Sequence, residues 1–262
     1  VKVIRLPVHS KNPLLIIINA LIISILIMML NIDIIHARSR APAWSCWLAN
    51  LLTRRKFVTT FHGTYSFKSK IKKFYNSIML KSELTIAGSN FIFDHIHTNY
   101  SNYISKDKKL LVIFRGINTD YYNTSKVPEE KVDKFNSTLK LDIHTFKILL
   151  PGRLTKWKGQ EMFLEALSLL KTKYYKTNFK GIIVGSHQGR KVFFKKLISM
   201  VDQFRLKENI IFLGLCEEMP VAYKSADVVV SSSIEPEAFG RVAVEAQAMQ
   251  KPILASDLGG SK

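Results

Sequence analysis

Short β-branched runs alternate with helical stretches along the whole chain, and this alternation is the feature that most restricts its fold. The runs are apolar throughout rather than at every second residue, which is typical of parallel strands covered on both faces. The sequence therefore predicts an α/β fold. Strands are predicted at residues 33–37, 56–62, 83–89 and 109–115, and then at 146–152, 180–186, 209–214, 226–233 and 251–257.

A polar, strand-free segment separates the two groups of predicted strands. It reads NTSKVPEEKVDKFNSTLKLDIHT (123–145) and has the composition of a linker between domains. We therefore expect two Rossmann-like domains, at residues 1–122 and 146–262, with a cleft between them.

Several polar residues follow the ends of predicted strands. Ligands of open α/β sheets bind beyond the carboxyl ends of the strands. His62, Arg153, Gly185 and Glu237 all fall at such positions. The sequence therefore predicts a ligand site formed by these strand ends.

The net charge is +19, from 39 basic and 20 acidic residues. Residues 1–124 hold 17 Lys and Arg against 5 Asp and Glu, whereas residues 146–262 hold 18 against 11. This bias predicts a polyanionic partner for the first half, either nucleic acid or an anionic membrane. Cys46 and Cys216 lie far apart and form no disulfide framework or metal-ligand spacing, as in a reducing cytosol.

Two segments could contact a membrane. Residues 14–30, LLIIINALIISILIMML, predict a buried helix, with a membrane span as the alternative, because a span needs about 20 apolar residues. Residues 67–81 place Phe67, Ile71, Phe74 and Ile78 at helical spacing among lysines. This pattern is typical of a helix that lies on an anionic bilayer. A helix packed on the sheet, with its lysines in solvent, would show nearly the same pattern. The cations predicted to meet the membrane or an anionic acceptor are Arg38, Arg40, Lys68, Lys70, Lys72 and Lys73.

The segment LLPGRLTKWKGQ (149–160) has the features of a phosphate site. A strand ends at Pro151–Gly152, Arg153 follows, and Lys158 precedes the next helix. Cations beside a helix N-terminus favour bound anions, although an ordinary basic turn explains this segment equally well.

The segment SIEPEAFGRVAVEAQAM (233–249) places Glu237 in a loop and Glu245 in a mostly apolar helix. Carboxylates accept paired hydrogen bonds from vicinal hydroxyls, as in the recognition of sugars. In the structural alternative, Glu237 would cap the helix and Glu245 would be solvated. The apolar neighbours Val244 and Ala246 make a solvated position for Glu245 less suitable.

These segments together resemble the family 4 retaining glycosyltransferases, which have the GT-B fold. EAFGRVAVEAQAMQKPILASDLGG is similar to the family's segment with two glutamates eight residues apart, and GRLTKWKG to its donor-diphosphate segment. TFHGTY (60–65), AGSNFI (87–92) and RGINTDYY (115–122) are similar to its first-domain segments in order and spacing.

The resemblance implies a role for each matching residue. Arg153 and Lys158 would hold the donor diphosphate, Glu237 the hydroxyls of the donor sugar, and Glu245 those of the ribose. His62 would lie near the anomeric carbon. The residues implied in catalysis are thus His62, Glu237, Arg153 and Lys158, and those implied in donor binding are Gly185, Leu215, Phe239, Gly240, Arg241, Val242 and Glu245.

The family uses no metal and no other cofactor, and the chain has no Asp-x-Asp motif of the metal-dependent enzymes. The resemblance implies sugar transfer, with retention, from a nucleotide sugar to a membrane glycolipid of the lipopolysaccharide type. We expect a cytoplasmic protein on the inner face of the membrane. Compared with the family, the first βαβ unit and the C-terminal end are expected to be missing, so both domains are predicted to be incomplete. The alternatives are an inactive fragment that still binds nucleotide or membrane and, with less support, a basic nucleic-acid-binding protein.

Overall fold

The structure is a computed structural model that describes residues 3–65, 67 and 69–261. The chain forms two compact units that divide between Arg115 and Gly116. Each contains a sheet of parallel strands, so the predicted α/β class is confirmed. All nine predicted strands are found, each within a few residues of its predicted ends.

The first unit contains a sheet with the strand order β1-β2-β3-β4. Every neighbouring pair is parallel, because a helix follows each of the first three strands and returns the chain to the same edge. The elements are α1 (Pro13–Met29), β1 (Ile34–Ala37), α2 (Arg40–Thr53), β2 (Lys56–Phe61), α3 (Lys70–Ser77), β3 (Leu84–Ala87), α4 (Asn90–Tyr100) and β4 (Lys109–Val112).

Helix α1 is less buried than predicted. It packs against α2, whose buried face is made of the small residues Ala41, Ala43, Ser45 and Ala49. Only Asn19, Ala20, Ser24 and Ile27 of α1 are buried, since a neighbour on one side covers one stripe of a helix. The uncovered apolar residues are Leu14, Ile17, Ile18, Leu21, Ile25, Met28 and Met29, each at least 42% exposed. Among the described residues, no helix has both the length and the hydropathy needed to span a membrane.

The second unit contains a sheet with the order β7-β6-β5-β8-β9, again parallel throughout. The elements are α5 (Glu129–Thr138), β5 (Phe146–Pro151), α6 (Gln160–Lys173), β6 (Phe179–Val184), α7 (Lys191–Gln203), β7 (Ile210–Gly214), α8 (Met219–Ser225), β8 (Val228–Ser231), α9 (Arg241–Ala248) and β9 (Ile253–Ala255).

Strand β5 contributes to two cores, one on each face of the second sheet. Leu149 packs in a cluster that includes Val221 and Tyr223 of α8. Its neighbours Ile148 and Leu150 pack on the other face, in a cluster that includes Leu164 of α6. Because side chains of a strand alternate between faces, coverage on both sides requires the continuous apolar run of this strand.

The predicted boundary differs from the division in the structure. Residues 123–145 were predicted to be a linker, but they contain α5, and Val132 and Leu141 are buried in the core of the second unit. The segment RGINTDYY was assigned to the first domain, whereas Tyr122 packs in that same second core. A few apolar residues spaced along a polar segment are enough to fix it onto a core.

Candidate functional site

The strand order of the second sheet reverses between β5 and β8. The chain builds outward from β5 through β6 to β7 and then returns to place β8 on the other side of β5. Ligands of such sheets bind beyond the carboxyl ends of the strands at this switch point. The loops that leave β5 and β8 there contain Arg153, Lys158 and Glu237.

The two loops are joined by hydrogen bonds of the main chain and of Ser232. The Ile234 amide donates to the Trp157 carbonyl at 2.8 Å. The Ser232 hydroxyl donates to the carbonyl groups of Gly159 at 3.0 Å and Lys158 at 3.2 Å. The loop that carries Lys158 is therefore fixed against the one that leads to Glu237.

Lys158 and Glu237 form an ion pair between the Lys158 ammonium group and Glu237 Oε1. Their side chains are only 15% and 12% exposed, so water screens this pair weakly. The Ser233 hydroxyl donates to the same oxygen at 2.6 Å. Among the described contacts, all bonds of this carboxylate fall on Oε1, and Oε2 is left to accept from another group.

Glu245 is buried, and the solvated alternative considered for it is wrong. Its Oε2 accepts a hydrogen bond from the Tyr223 hydroxyl at 2.9 Å. Its Oε1 accepts two from Arg241, from Nε at 3.1 Å and Nη2 at 2.7 Å. The Tyr122 hydroxyl also faces this carboxylate, so its negative charge is held by three side chains.

The tyrosines beside Glu245 resist ionisation. Burial, followed by the charge of Glu245 and the hydrogen bond to it, raises the pKa of Tyr122 to about 12. Burial and the same carboxylate raise the pKa of Tyr223 further. Both hydroxyl groups therefore stay protonated at neutral pH and remain hydrogen-bond donors to Glu245.

Helix α9 begins between the two glutamates. Gly240 caps it with φ of 73°, a left-handed conformation that glycine adopts without strain. Phe239 and Val242 are half-buried, and the Arg241 side chain reaches along the helix to Glu245. The first amides of this helix point away from its body and can receive an anion.

The other predicted donor residues lie around the same strand ends. Arg153 is exposed, and its carbonyl accepts from the Gln160 amide at 2.9 Å. Gly185 lies directly after β6 and fits against the backbone of Gly152. Leu215 is 80% exposed, at the rim of a cavity of about 420 Å³ formed by α5 and the loop after β7. The structure brings Lys158 and Glu237 into contact but shows no such contact for Leu215.

In the first unit, His62 lies between two arginine side chains. Arg38 Nε donates to His62 Nε2 at 3.0 Å, and Arg115 Nη2 approaches Nδ1. Nε2 of His36 lies 2.7 Å from the Thr60 hydroxyl beside them. Burial, then the charges of Arg115, Arg38 and His36, lower the pKa of His62 to about 4. The imidazole is therefore neutral at neutral pH.

The predicted membrane and acceptor cations have different surroundings. Arg40 donates to Asn76 Oδ1 at 3.0 Å and stacks over the Tyr65 ring, so it is used inside the first unit. Lys70, Lys72 and Lys73 lie on α3, next to the exposed Ile71 and Phe74. Ile78, predicted on the same apolar stripe, is buried, and Lys68 lies outside the described residues.

Several residues that form these sites were not assigned a role from the sequence. They are Tyr122, Tyr223 and Ser233 around the glutamates, and Arg115 beside His62. Arg115 and Tyr122 lie in RGINTDYY and Ser233 begins SIEPEAFGRVAVEAQAM, both segments that the sequence singled out, whereas Tyr223 lies in neither. No group of His, Cys, Asp and Glu side chains suited to hold a metal ion occurs within the described residues.

Two family models match the chain. The model described as Glycosyltransferase Family 4 matches residues 1–121, and the one described as Glycosyl transferases group 1 matches residues 133–262. Together they leave only residues 122–132 unmatched.

Individual relatives agree with these matches. A glycosyltransferase from Rickettsia africae has a similar crystal structure, with a TM-score of 0.84, 41% identity, and coverage of 96% of this chain and 64% of that chain. The crystal structure of Anabaena HepE with UDP and glucose has a TM-score of 0.79 at 24% identity, covering 97% of this chain and 66% of that one. An uncharacterized glycosyltransferase of Methanocaldococcus jannaschii is 33% identical over 156 residues, 59% of this chain.

The chain spans only part of these relatives, with the matched region amounting to 38% of the length of the M. jannaschii protein. Its structural neighbours are GT-B glycosyltransferases, which confirms the predicted fold type. The two family models and these neighbours together show that the chain belongs to the group 1, family 4 glycosyltransferases.

Proposed function

We propose that the protein transfers a sugar from a nucleotide-sugar donor to an acceptor with retention of configuration at the anomeric carbon. The observation that carries this proposal is the pair of glutamates at the switch point, whose side chains are 12% exposed at Glu237 and 9% exposed at Glu245. Glu237 is held by Lys158 and Ser233, and Glu245 by Tyr223 and Arg241, on the two sides of the α9 N-terminus.

Lys158 and Arg153 suit the donor diphosphate. Negative charge grows on the diphosphate as the sugar leaves, and fixed cations stabilise that charge without reorganisation. Lys158 is fixed by its ion pair, and its side chain runs close to Gly152. The first amides of α9 add donors from another direction.

The two glutamates suit hydroxyl groups. Glu237 keeps Oε2 available to accept from the donor sugar, since its described bonds use Oε1. Glu245 would accept hydrogen bonds from the ribose hydroxyls. Arg241 would then have to share Glu245 Oε1 with the ribose. Arg241 is 59% exposed, so its side chain can move toward solvent when the ribose hydroxyls replace it on Oε1.

Retention is proposed to proceed by front-face attack, in which the acceptor enters on the side that the diphosphate leaves. The leaving diphosphate then accepts the acceptor's proton, and no covalent enzyme intermediate is needed. No metal or other cofactor is proposed, because Lys158, Arg153 and the α9 amides supply the positive charge. The role of His62 beside the reacting sugar stays a prediction.

The acceptor is proposed to be a glycolipid of the lipopolysaccharide type, reached from the cytoplasmic face of the membrane. Helix α1 exposes an apolar face of at least seven residues, and α3 exposes Ile71 at 80% beside Lys70 and Lys72. Apolar side chains next to cations are the combination that binds an anionic bilayer surface. One relative, from Corynebacterium glutamicum and 26% identical over 161 residues, is a D-inositol 3-phosphate glycosyltransferase.

Thermal unfolding with UDP and GDP tests the donor site. A nucleotide at one hundred times its dissociation constant stabilises the protein by about 2.7 kcal/mol. We expect protection by one nucleotide, its loss in Lys158→Ala and Glu245→Gln, and its retention in Lys156→Ala, which removes an exposed lysine of the same loop. Absence of protection, or equal loss in all three variants, would contradict the donor site.

Transfer itself is tested with the nucleotide sugar that protects best and a membrane extract as acceptor. The anomeric configuration of the product, read from its proton coupling by NMR, reports retention or inversion. EDTA should leave the rate unchanged. Nucleotide protection without any transfer would assign a binding role instead.

A further inference from the structure

The carboxyl edge of the first sheet collects basic side chains from separate strands. His36 and Arg38 lie at the end of β1, His62 follows β2, and Arg115 follows β4. All four strands are parallel, so these ends meet at one edge of the sheet. We call His36, Arg38, His62 and Arg115 the basic edge.

Three of the four acidic residues of the first unit lie toward the amino edge of its sheet, and the fourth, Asp94, is exposed on α4. Asp33, Glu83 and Asp107 precede β1, β3 and β4 and therefore lie toward the amino edge, where Glu83 pairs with Lys56 and Asp107 with Lys108. The charges that act on His62 come from Arg115, Arg38 and His36, and all of them lower its pKa. The basic edge is thus an electrostatic environment that favours an anion.

The imidazole of His62 cannot satisfy both arginines. A neutral imidazole has one N–H group and one nitrogen lone pair. Arg38 Nε approaches Nε2, and Arg115 Nη2 approaches Nδ1. In either tautomer, one guanidinium group faces an N–H group instead of an acceptor. An anion at this edge supplies acceptor oxygens and removes that conflict.

Arg38 has further donors to offer. Its side chain is exposed, and within the described residues its only hydrogen bond uses Nε. The two terminal nitrogens of the guanidinium group can therefore bind two oxygens of one anion. Helix α2 begins at Arg40, two residues after Arg38, and its N-terminus adds a weak attraction for negative charge.

We infer that the basic edge binds a phosphate group between the guanidinium groups of Arg38 and Arg115, beside the imidazole of His62. The oxygens of a phosphate group can accept hydrogen bonds from two planar guanidinium groups at once. The inference rests on the proposed function and deepens it, because it makes a phosphorylated substrate part of the reaction. Binding of the anion can nevertheless be measured without any transfer.

The test titrates inorganic phosphate into the full chain carrying ¹³C-labelled histidine and follows the ring signals by NMR, with His62 assigned from His62→Gln. We expect saturable binding that raises the pKa of His62, because a bound anion stabilises the imidazolium. Arg38→Gln and Arg115→Gln should each weaken phosphate binding about tenfold, the loss of a charge-assisted hydrogen bond. Arg54→Gln removes the same charge from an exposed position at the other end of α2 and should bind phosphate normally.

Equal weakening by Arg54→Gln, or phosphate titration without a change at His62, would overturn the inference. Arg38 is exposed, so its variant should fold; Arg115→Lys provides a second variant that keeps the charge and should retain most of the binding. Thermal unfolding of each variant checks that the fold is kept.

The source of the phosphate is separated by two competitors. If UDP displaces phosphate, and if Arg38→Gln weakens the binding of UDP, the donor diphosphate is identified as the ligand. Displacement by glucose 6-phosphate but not by UDP would identify a phosphorylated acceptor. Either result supports the site, and neither depends on the Lys158 and Glu245 variants that test the donor site.

Discussion

The Tyr223 hydroxyl donates a hydrogen bond of 2.9 Å to Glu245 Oε2, and both side chains are buried in the second unit. Tyr223 belongs to α8 and Glu245 to α9, so the bond joins two helices that flank the switch point. This bond fixes the carboxylate that we propose to bind the ribose.

Replacing Tyr223 by phenylalanine should lower the free energy of unfolding of the second unit by about 1 to 3 kcal/mol, because a buried carboxylate oxygen loses its donor. Tyr121→Phe is the matched control, since that hydroxyl bonds the Glu217 carbonyl at an exposed position. Urea unfolding measures both. A Tyr223→Phe protein as stable as the control would show that the bond contributes nothing.

Alkaline pH should destabilise the second unit through Tyr122. The pKa of this residue is about 12 in the folded chain and about 10 in an unfolded chain. A raised folded pKa gives stability that is complete below pH 10 and is lost as pH rises toward 12. The free energy of unfolding should therefore fall less steeply over this range in Tyr122→Phe than in the wild type. Identical slopes would contradict the raised pKa.

Breaking the Lys158–Glu237 pair should cost more than removing both charges. Lys158→Met leaves Glu237 buried without its cation, which costs about 3 to 5 kcal/mol. Lys158→Met combined with Glu237→Gln should be more stable than Lys158→Met alone. Lys126→Met is the control, because its pair with Asp120 is exposed and contributes at most about 1 kcal/mol.

Trp157 can report these changes for the second unit alone. The chain has three tryptophans, and replacing Trp44 and Trp47 by phenylalanine leaves Trp157 as the only one. Its fluorescence during urea unfolding measures the pair variants. A double variant less stable than Lys158→Met would refute the coupling.

Gly185→Ala should disrupt the packing of residue 185, directly after β6, against the loop after β5. Its Cβ would lie 2.0 Å from the Gly152 carbonyl oxygen, and φ at this residue is 148°. We expect a loss of more than about 2 kcal/mol in the free energy of unfolding. Gly116→Ala is the control, because it meets no atom within 4 Å. Equal melting temperatures for the two variants would contradict the close approach.

The proposed membrane binding should depend on the exposed apolar residues of the first unit. The double variant Ile17→Asp with Leu21→Asp tests α1, and Ile71→Asp tests α3. A carboxylate does not insert into the bilayer surface and is repelled by anionic lipid headgroups. Val192→Asp, at an 85% exposed position of α7, is the control. Flotation with vesicles of phosphatidylglycerol measures binding. Unchanged flotation of all variants would exclude both helices as the contact.

The sequence predicted the strands well because each is a short apolar run with a clear start and end. It also identified the paired glutamates and the lysine of the candidate site, since local motifs carry them. The bond between Tyr223 and Glu245 spans 22 residues and two helices, and no local pattern indicates it. The same holds for Arg115 and His62, which lie 53 residues apart and meet because β2 and β4 end at the same edge.

Two predictions failed where burial depended on a neighbour. Residues 123–145 look like a linker by composition, but Val132 and Leu141 find an apolar surface to cover. Helix α1 is predicted to be buried from its composition, but α2 covers only the stripe that contains Asn19 and Ser24. Composition gives the tendency to be buried, whereas the surface available decides it.

The central position of β5 has a consequence for dissection of the molecule. The chain passes only once from the β6–β7 side of the second sheet to the β8–β9 side, through residues 215–218 and α8. The loop there is accessible, with Leu215 exposed, and β8 is held to β5 by parallel pairing at Ile148 and Leu149. We therefore expect a chain nicked in this loop to yield two pieces that pair again along β5 and β8, which would make the second unit a split reporter for the proposed nucleotide site.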